Sequence, residues 1–164
     1  MGRILAIFAS DEHQYGPFIA GAIFFGLVIG FPIGLTVAHA KAQGGTLDGY
    51  AAALTQVHGH LQLMGFVGLF VIGMGYRLVA RFPGVRLRTA LVPALTFALV
   101  AGGLLVRALA QPLADRDAWA AVFAGATVLE TAGVLLFSAT ILRCLATGRK
   151  EDFLYSPFFA AGAF

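Results

Sequence analysis

The sequence predicts an all-α membrane protein: a bundle of four transmembrane helices with the start of a fifth. Three observations carry this. Hydrophobic residues make up 59% of the 164 residues, and mean hydropathy is +0.86. Charged residues make up 12%, about half the share usual in soluble domains. The charges also avoid four stretches, 17–38, 61–80, 89–109 and 118–142, each near the roughly 20 apolar residues that a spanning helix needs. A soluble domain of this length has no interior large enough to hide so much apolar surface.

The four spans form one unit, 1–150. The first opens at Pro17, which suits a first helical turn because its missing N–H has no partner there in any case. Residues MGRILAIFAS before it are too short for a removable signal peptide with an apolar core and a cleavage site. Between the first two spans, KAQGGTLDGYAAALTQ forms a longer connection, in which Tyr50–Val57 is expected to lie as an interfacial helix. Gly65, Gly68, Gly73 and Gly75 give the second span a small-residue face for close helix packing. Tyr76 and Arg77 near its end read as interface anchors. Pro83 and Gly84 mark a tight turn within RFPGVRLR. Pro32 and Pro93 fall inside spans, where lipid-embedded helices tolerate them, often with a kink.

Basic residues set the orientation. Arg3, Arg77, Arg81, Arg86, Arg88, Arg143, Arg149 and Lys150 fall on one side, against Lys41, Arg107 and Arg116 on the other. The positive-inside rule then places the N-terminus and the loop 81–88 in the cytoplasm, with Ala40–Gln56 and Gln111–Asp117 outside. The net charge of +3 resides beside the spans and points to lipid headgroups rather than nucleic acid.

The chain end looks back at its start. EDFLYSPFFAAGAF, 151–164, repeats DEHQYGPFIAGAIF, 11–24, at a constant offset, with Tyr15, Pro17, Phe18, Ala20 and Phe24 matched by Tyr155, Pro157, Phe158, Ala160 and Phe164. One reading is a coincidence of two apolar helix starts. The other is a tandem array of four-span units, with 151–164 opening the next. The tail could equally lie along the membrane interface.

Polar residues inside spans are costly in lipid and are the leads to function. The densest cluster is VHGHLQLMGF, 57–66, at the outer end of the second span. Helical spacing puts His58 and Gln62 on one face and His60 and Met64 on roughly the opposite one. The two histidines therefore need separate partners. His39 and Arg107 lie on the same side of the membrane, and Glu130 lies about half way along the fourth span. Neutral imidazole is a common metal and haem ligand, so His58, His60 and His39 are metal candidates. Arginine matches the carboxylate of a haem propionate, which adds Arg107 to His58 and His60 as candidate cofactor contacts. Each has a plainer reading: the histidines as interfacial residues, Arg107 as a snorkelling side chain. Glu130 is expected to pair with Arg107 on the adjoining antiparallel span, as a structural lock or as part of a proton relay. The single cysteine, Cys144, excludes an internal disulfide and a cysteine-built metal cage. No nucleophilic triad, phosphate loop or nucleotide fingerprint is present. No residue is read as catalytic, and the chain is not expected to be an enzyme on its own.

His58-x-His60 followed by Gly65-Phe66 and a Gly-rich span ending in YRLVARFPG resembles the second span of the NnrS family. The Tyr15-Gly16-Pro17-Phe18 opening is similar to that family's start. The resemblance implies a bacterial inner-membrane haem and copper protein linked to nitric oxide or respiratory chemistry. It also implies about twelve spans, distantly similar to subunit I of the haem-copper oxidases, which are built from arcs of four helices. It places His58 and His60 at the family's paired histidines, for b-type haem or copper. Where the family tends to have Glu-Met after them, this chain has Leu61-Gln62. Spans three and four match only in hydropathy and order. The competing reading is a cofactor-free accessory subunit of a larger respiratory or photosynthetic membrane complex, partnered by other transmembrane subunits or by further helices of a longer chain. A proton-coupled carrier working through Glu130 and Arg107 ranks behind both, since no broken helix pair announces a water-filled path.

Overall fold

A computed structural model describes residues 15–46, 49–81 and 89–147. The described residues are helical, with no strand among them. Four helices are long and apolar enough to cross a membrane: α1, Gly16–Ala42; α2, Gly49–Leu78; α3, Leu91–Leu113; and α4, Asp117–Thr147. The expected fifth helix, 151–164, and the loop 82–88 lie outside the described residues.

The ends of the helices follow from local chemistry. Pro17 occupies the first turn of α1. At the other end, Gly44 adopts φ +81°, a left-handed conformation that glycine reaches without a Cβ clash. The Gly45 and Gly44 N–H groups then return to the carbonyls of Ala40 and Lys41 at 3.0 and 3.1 Å, a Schellman ending. The Thr89 hydroxyl accepts the Leu91 N–H at 3.0 Å just before α3. Asp117 places a negative charge in the first turn of α4, where the helix dipole favours it.

Two features differ from the sequence expectation. Tyr50–Val57 is not a separate interfacial helix but the first turns of α2, continuous with the span. Nothing between Tyr50 and Leu61 breaks a helix except Gly59, and Gln56, His58 and His60 find partners on neighbouring helices. Pro93 is buried in the first turn of α3, where it disrupts nothing. Pro32 follows directly on a π-helical stretch, Phe24–Gly30, in α1. A second π-helical stretch, Leu61–Gly68, interrupts α2 and packs against the first. Such wide turns leave carbonyls less committed to the helix and gather at functional sites.

The helices run alternately up and down. α1 packs along α2, and α4 packs along α3 and against α2. Glycines set the close approaches, as the small-residue face of α2 predicts. A Cβ on Gly73 would sit 2.6 Å from the Phe18 Cβ, and one on Gly65 would sit 2.8 Å from the Phe25 Cβ. Between α3 and α4, a Cβ on Gly133 would meet Val100 at 2.5 Å.

At the end where α1 and α3 begin, one aromatic ring comes from each helix. Phe18 meets Phe97 edge-on at 5.3 Å and lies 5.7 Å from Tyr76, which meets Phe137 edge-on at 5.2 Å. Tyr76 is 1% exposed, and its hydroxyl shares a 2.7 Å hydrogen bond with Thr96. Tyr76 is therefore a core residue rather than an interface anchor. A phenol can be buried here because Thr96, on the facing helix, supplies a hydroxyl partner.

Candidate functional site

The opposite end, where α1 and α3 finish and α2 and α4 begin, holds the polar side chains. On α2, residues 58 and 62 face α1, as their spacing predicts. His58 Nδ1 lies 2.8 Å from the Gly30 carbonyl, and Gln62 Nε2 donates to the Gly26 carbonyl at 3.0 Å. Both acceptors belong to the π-helical stretch of α1. A carbonyl can only accept, so His58 Nδ1 carries the hydrogen, and in the neutral ring Nε2 holds the lone pair. The His58 ring lies against Gly34, where any Cβ would collide with it. No hydrogen bond to Nε2 is present among the described residues.

His60 faces the other way, toward α4. Its Nε2 meets Glu130 Oε2 at 2.5 Å, the only ion-pair geometry among the described residues. The Glu130 side chain is 7% exposed and that of His60 is 25% exposed. The second carboxylate oxygen, Oε1, is buried with no hydrogen-bond partner. Gly103 makes room for this carboxylate, since a Cβ there would sit 2.6 Å from Glu130 Cγ.

The expected Glu130–Arg107 pair does not form. Arg107 lies one turn beyond Gly103, level with Phe123 and Thr127 rather than with Glu130. Its Nε donates to Gln111 Oε1 at 3.2 Å and one terminal nitrogen donates to Thr127 Oγ1 at 3.3 Å. The guanidinium sits 4.8 Å from the centre of the Phe123 ring. Gln111 in turn donates to Gln56 Oε1 at 2.8 Å, which ties α3 to α2. Helix depth carries the missed signal. Glu130 is 13 residues beyond Asp117, about 20 Å along α4, whereas Arg107 is in the last turn of its helix.

Nor do the metal candidates converge. His58 points to α1, His60 to α4, and His39 is exposed near the end of α1 with its Nε2 3.1 Å from Gln43 Nε2. No group of three or more metal-ligating side chains occurs among the described residues. His58 and Arg107 likewise belong to different helix interfaces. The sequence did not single out Gln56, Thr127 or Thr96, because their roles come from the helix facing them. These features define an all-helical, multi-pass membrane protein with a buried ionisable pair. No protein-family model, curated protein or solved structure matches the chain.

Proposed function

We propose that the chain is a haem-binding unit of a bacterial inner-membrane protein of NnrS or oxidase-like type, serving nitric oxide or respiratory chemistry, with His58 as axial ligand. The observation that supports this is the state of the His58 ring. A metal-ligating histidine characteristically donates one ring N–H to a carbonyl or carboxylate and offers the other nitrogen to the metal. His58 has this arrangement, with Gly30 as orienting partner. His60 meets the same criterion through the Glu130 carboxylate and is the alternative ligand, on the opposite face of α2. Any further ligand would come from residues outside those described or from another subunit. When bound, haem would supply diatomic-gas binding or electron transfer. This chain's part is to hold the His58 tautomer, to seal α1 against α2 through Gln62, and to keep the His60–Glu130 pair on the opposite face of α2. Pyridine haemochrome analysis of the purified protein tests the reading. About one b-type haem per chain, or per assembled complex, is expected; none after expression with haem supplied overturns it.

A second reading, the cofactor-free accessory subunit, is favoured by the same clasp seen differently. The His58 and Gln62 bonds to Gly30 and Gly26 tie α1 to α2 without any cofactor. It predicts a haem-free protein that co-purifies with a larger membrane complex.

A further inference from the structure

We infer that Arg107 and the side chains that frame it form a binding site for the phosphate of an anionic phospholipid. An arginine carries five N–H donors. Two are used, by Gln111 and Thr127, so three remain uncommitted among the described residues. The charge is uncommitted as well. The described acidic residues are Asp115, Asp117 and Glu130, and none of them forms an ion pair with Arg107. A half-buried guanidinium without a counter-charge is costly, and an anion relieves that cost.

The frame separates this side chain from a freely snorkelling one. Gln111 is 8% exposed and is fixed by Gln56, so its carbonyl is held toward Arg107 Nε. The Thr127 hydroxyl donates to the Phe123 carbonyl at 3.2 Å, leaving its oxygen to accept from Arg107. The Phe123 ring lies beneath the guanidinium plane. The fork is therefore oriented before any ligand arrives, which suits the bidentate geometry of phosphate. Arg107 occupies the last α-helical turn of α3, toward one end of a helix long and apolar enough to cross a membrane. α4 exposes Val122 and Val128, next to Phe123 and Thr127, and it too is long and apolar enough to cross a membrane. That setting favours a lipid over free phosphate. The inference is independent of the haem reading, since His58 lies at another helix interface.

Native mass spectrometry of the detergent-purified full chain with phosphatidylglycerol, phosphatidylcholine or inorganic phosphate tests it. Wild type should retain phosphatidylglycerol over phosphatidylcholine, and Arg107→Gln should retain one molecule fewer, with that site weakened about five- to tenfold. Arg107→Lys, which keeps the charge and loses the fork, should be intermediate, with helix content unchanged by circular dichroism. Arg116→Gln, at an exposed basic residue on the same side, should match wild type. Unchanged retention in Arg107→Gln overturns the site, as does an equal loss in Arg116→Gln. Equal retention of the two lipids, or equal protection by inorganic phosphate, overturns the anionic-lipid assignment.

Discussion

At one end of the bundle, Phe18, Tyr76, Phe97 and Phe137 bring a ring from each helix together, and the buried hydroxyls of Tyr76 and Thr96 share a hydrogen bond. At the other end, three groups keep unused capacity: His58 at Nε2, Glu130 at Oε1 and Arg107 at three N–H groups. The aromatic end is complete in itself and reads as scaffold. The polar end is incomplete, and a membrane protein does not keep such groups in an apolar medium without a use for them. The same fold thus separates rigidity from chemistry along its long axis.

Substitutions should break the two ends differently. The largest effect is expected from Phe18→Ala, which removes a fully buried ring from the aromatic end and should destabilise the bundle by about 3–5 kcal/mol in chemical unfolding from detergent micelles. Gly133→Val comes next, at about 1–3 kcal/mol, because the added side chain drives α4 off α3 at Val100. It should also disturb the polar end through Glu130, visible as slower gel-filtration mobility or lost lipid retention. Tyr76→Phe strands the Thr96 hydroxyl and should cost about 1 kcal/mol, with the bundle otherwise intact. The smallest effect belongs to the polar end. A double-mutant cycle of His60→Ala and Glu130→Ala should give a coupling near 0.6–1.7 kcal/mol, the range of polar pairs in membranes. A coupling as large as the Phe18→Ala loss would make the pair a structural lock and erase the contrast between the ends.

The four spans were legible because 20-residue apolar stretches have few alternatives in a chain with so few charges. Their ends were less so, since Tyr50–Val57 carries a helical pattern without the hydropathy of a span. Spacing alone separated His58 from His60, because both lie in a regular α-helical stretch that ends before the π-helical turns begin at Leu61. Partners were harder to read. Glu130 was matched to Arg107 by charge, whereas depth along antiparallel helices matches it to His60. Tyr76 looked like an anchor because its partner Thr96 sits on another helix, 20 residues away. Sequence patterns report which face a residue occupies; they do not report the level at which two helices meet.

The most direct test of the account is the reduced-minus-oxidised optical spectrum of wild type, His58→Ala and His60→Ala, each expressed with haem supplied. The account predicts a Soret band in wild type and its loss in His58→Ala, with His60→Ala showing whether the alternative ligand contributes. A wild type without the band, or a His58→Ala protein with an unchanged spectrum, would contradict it.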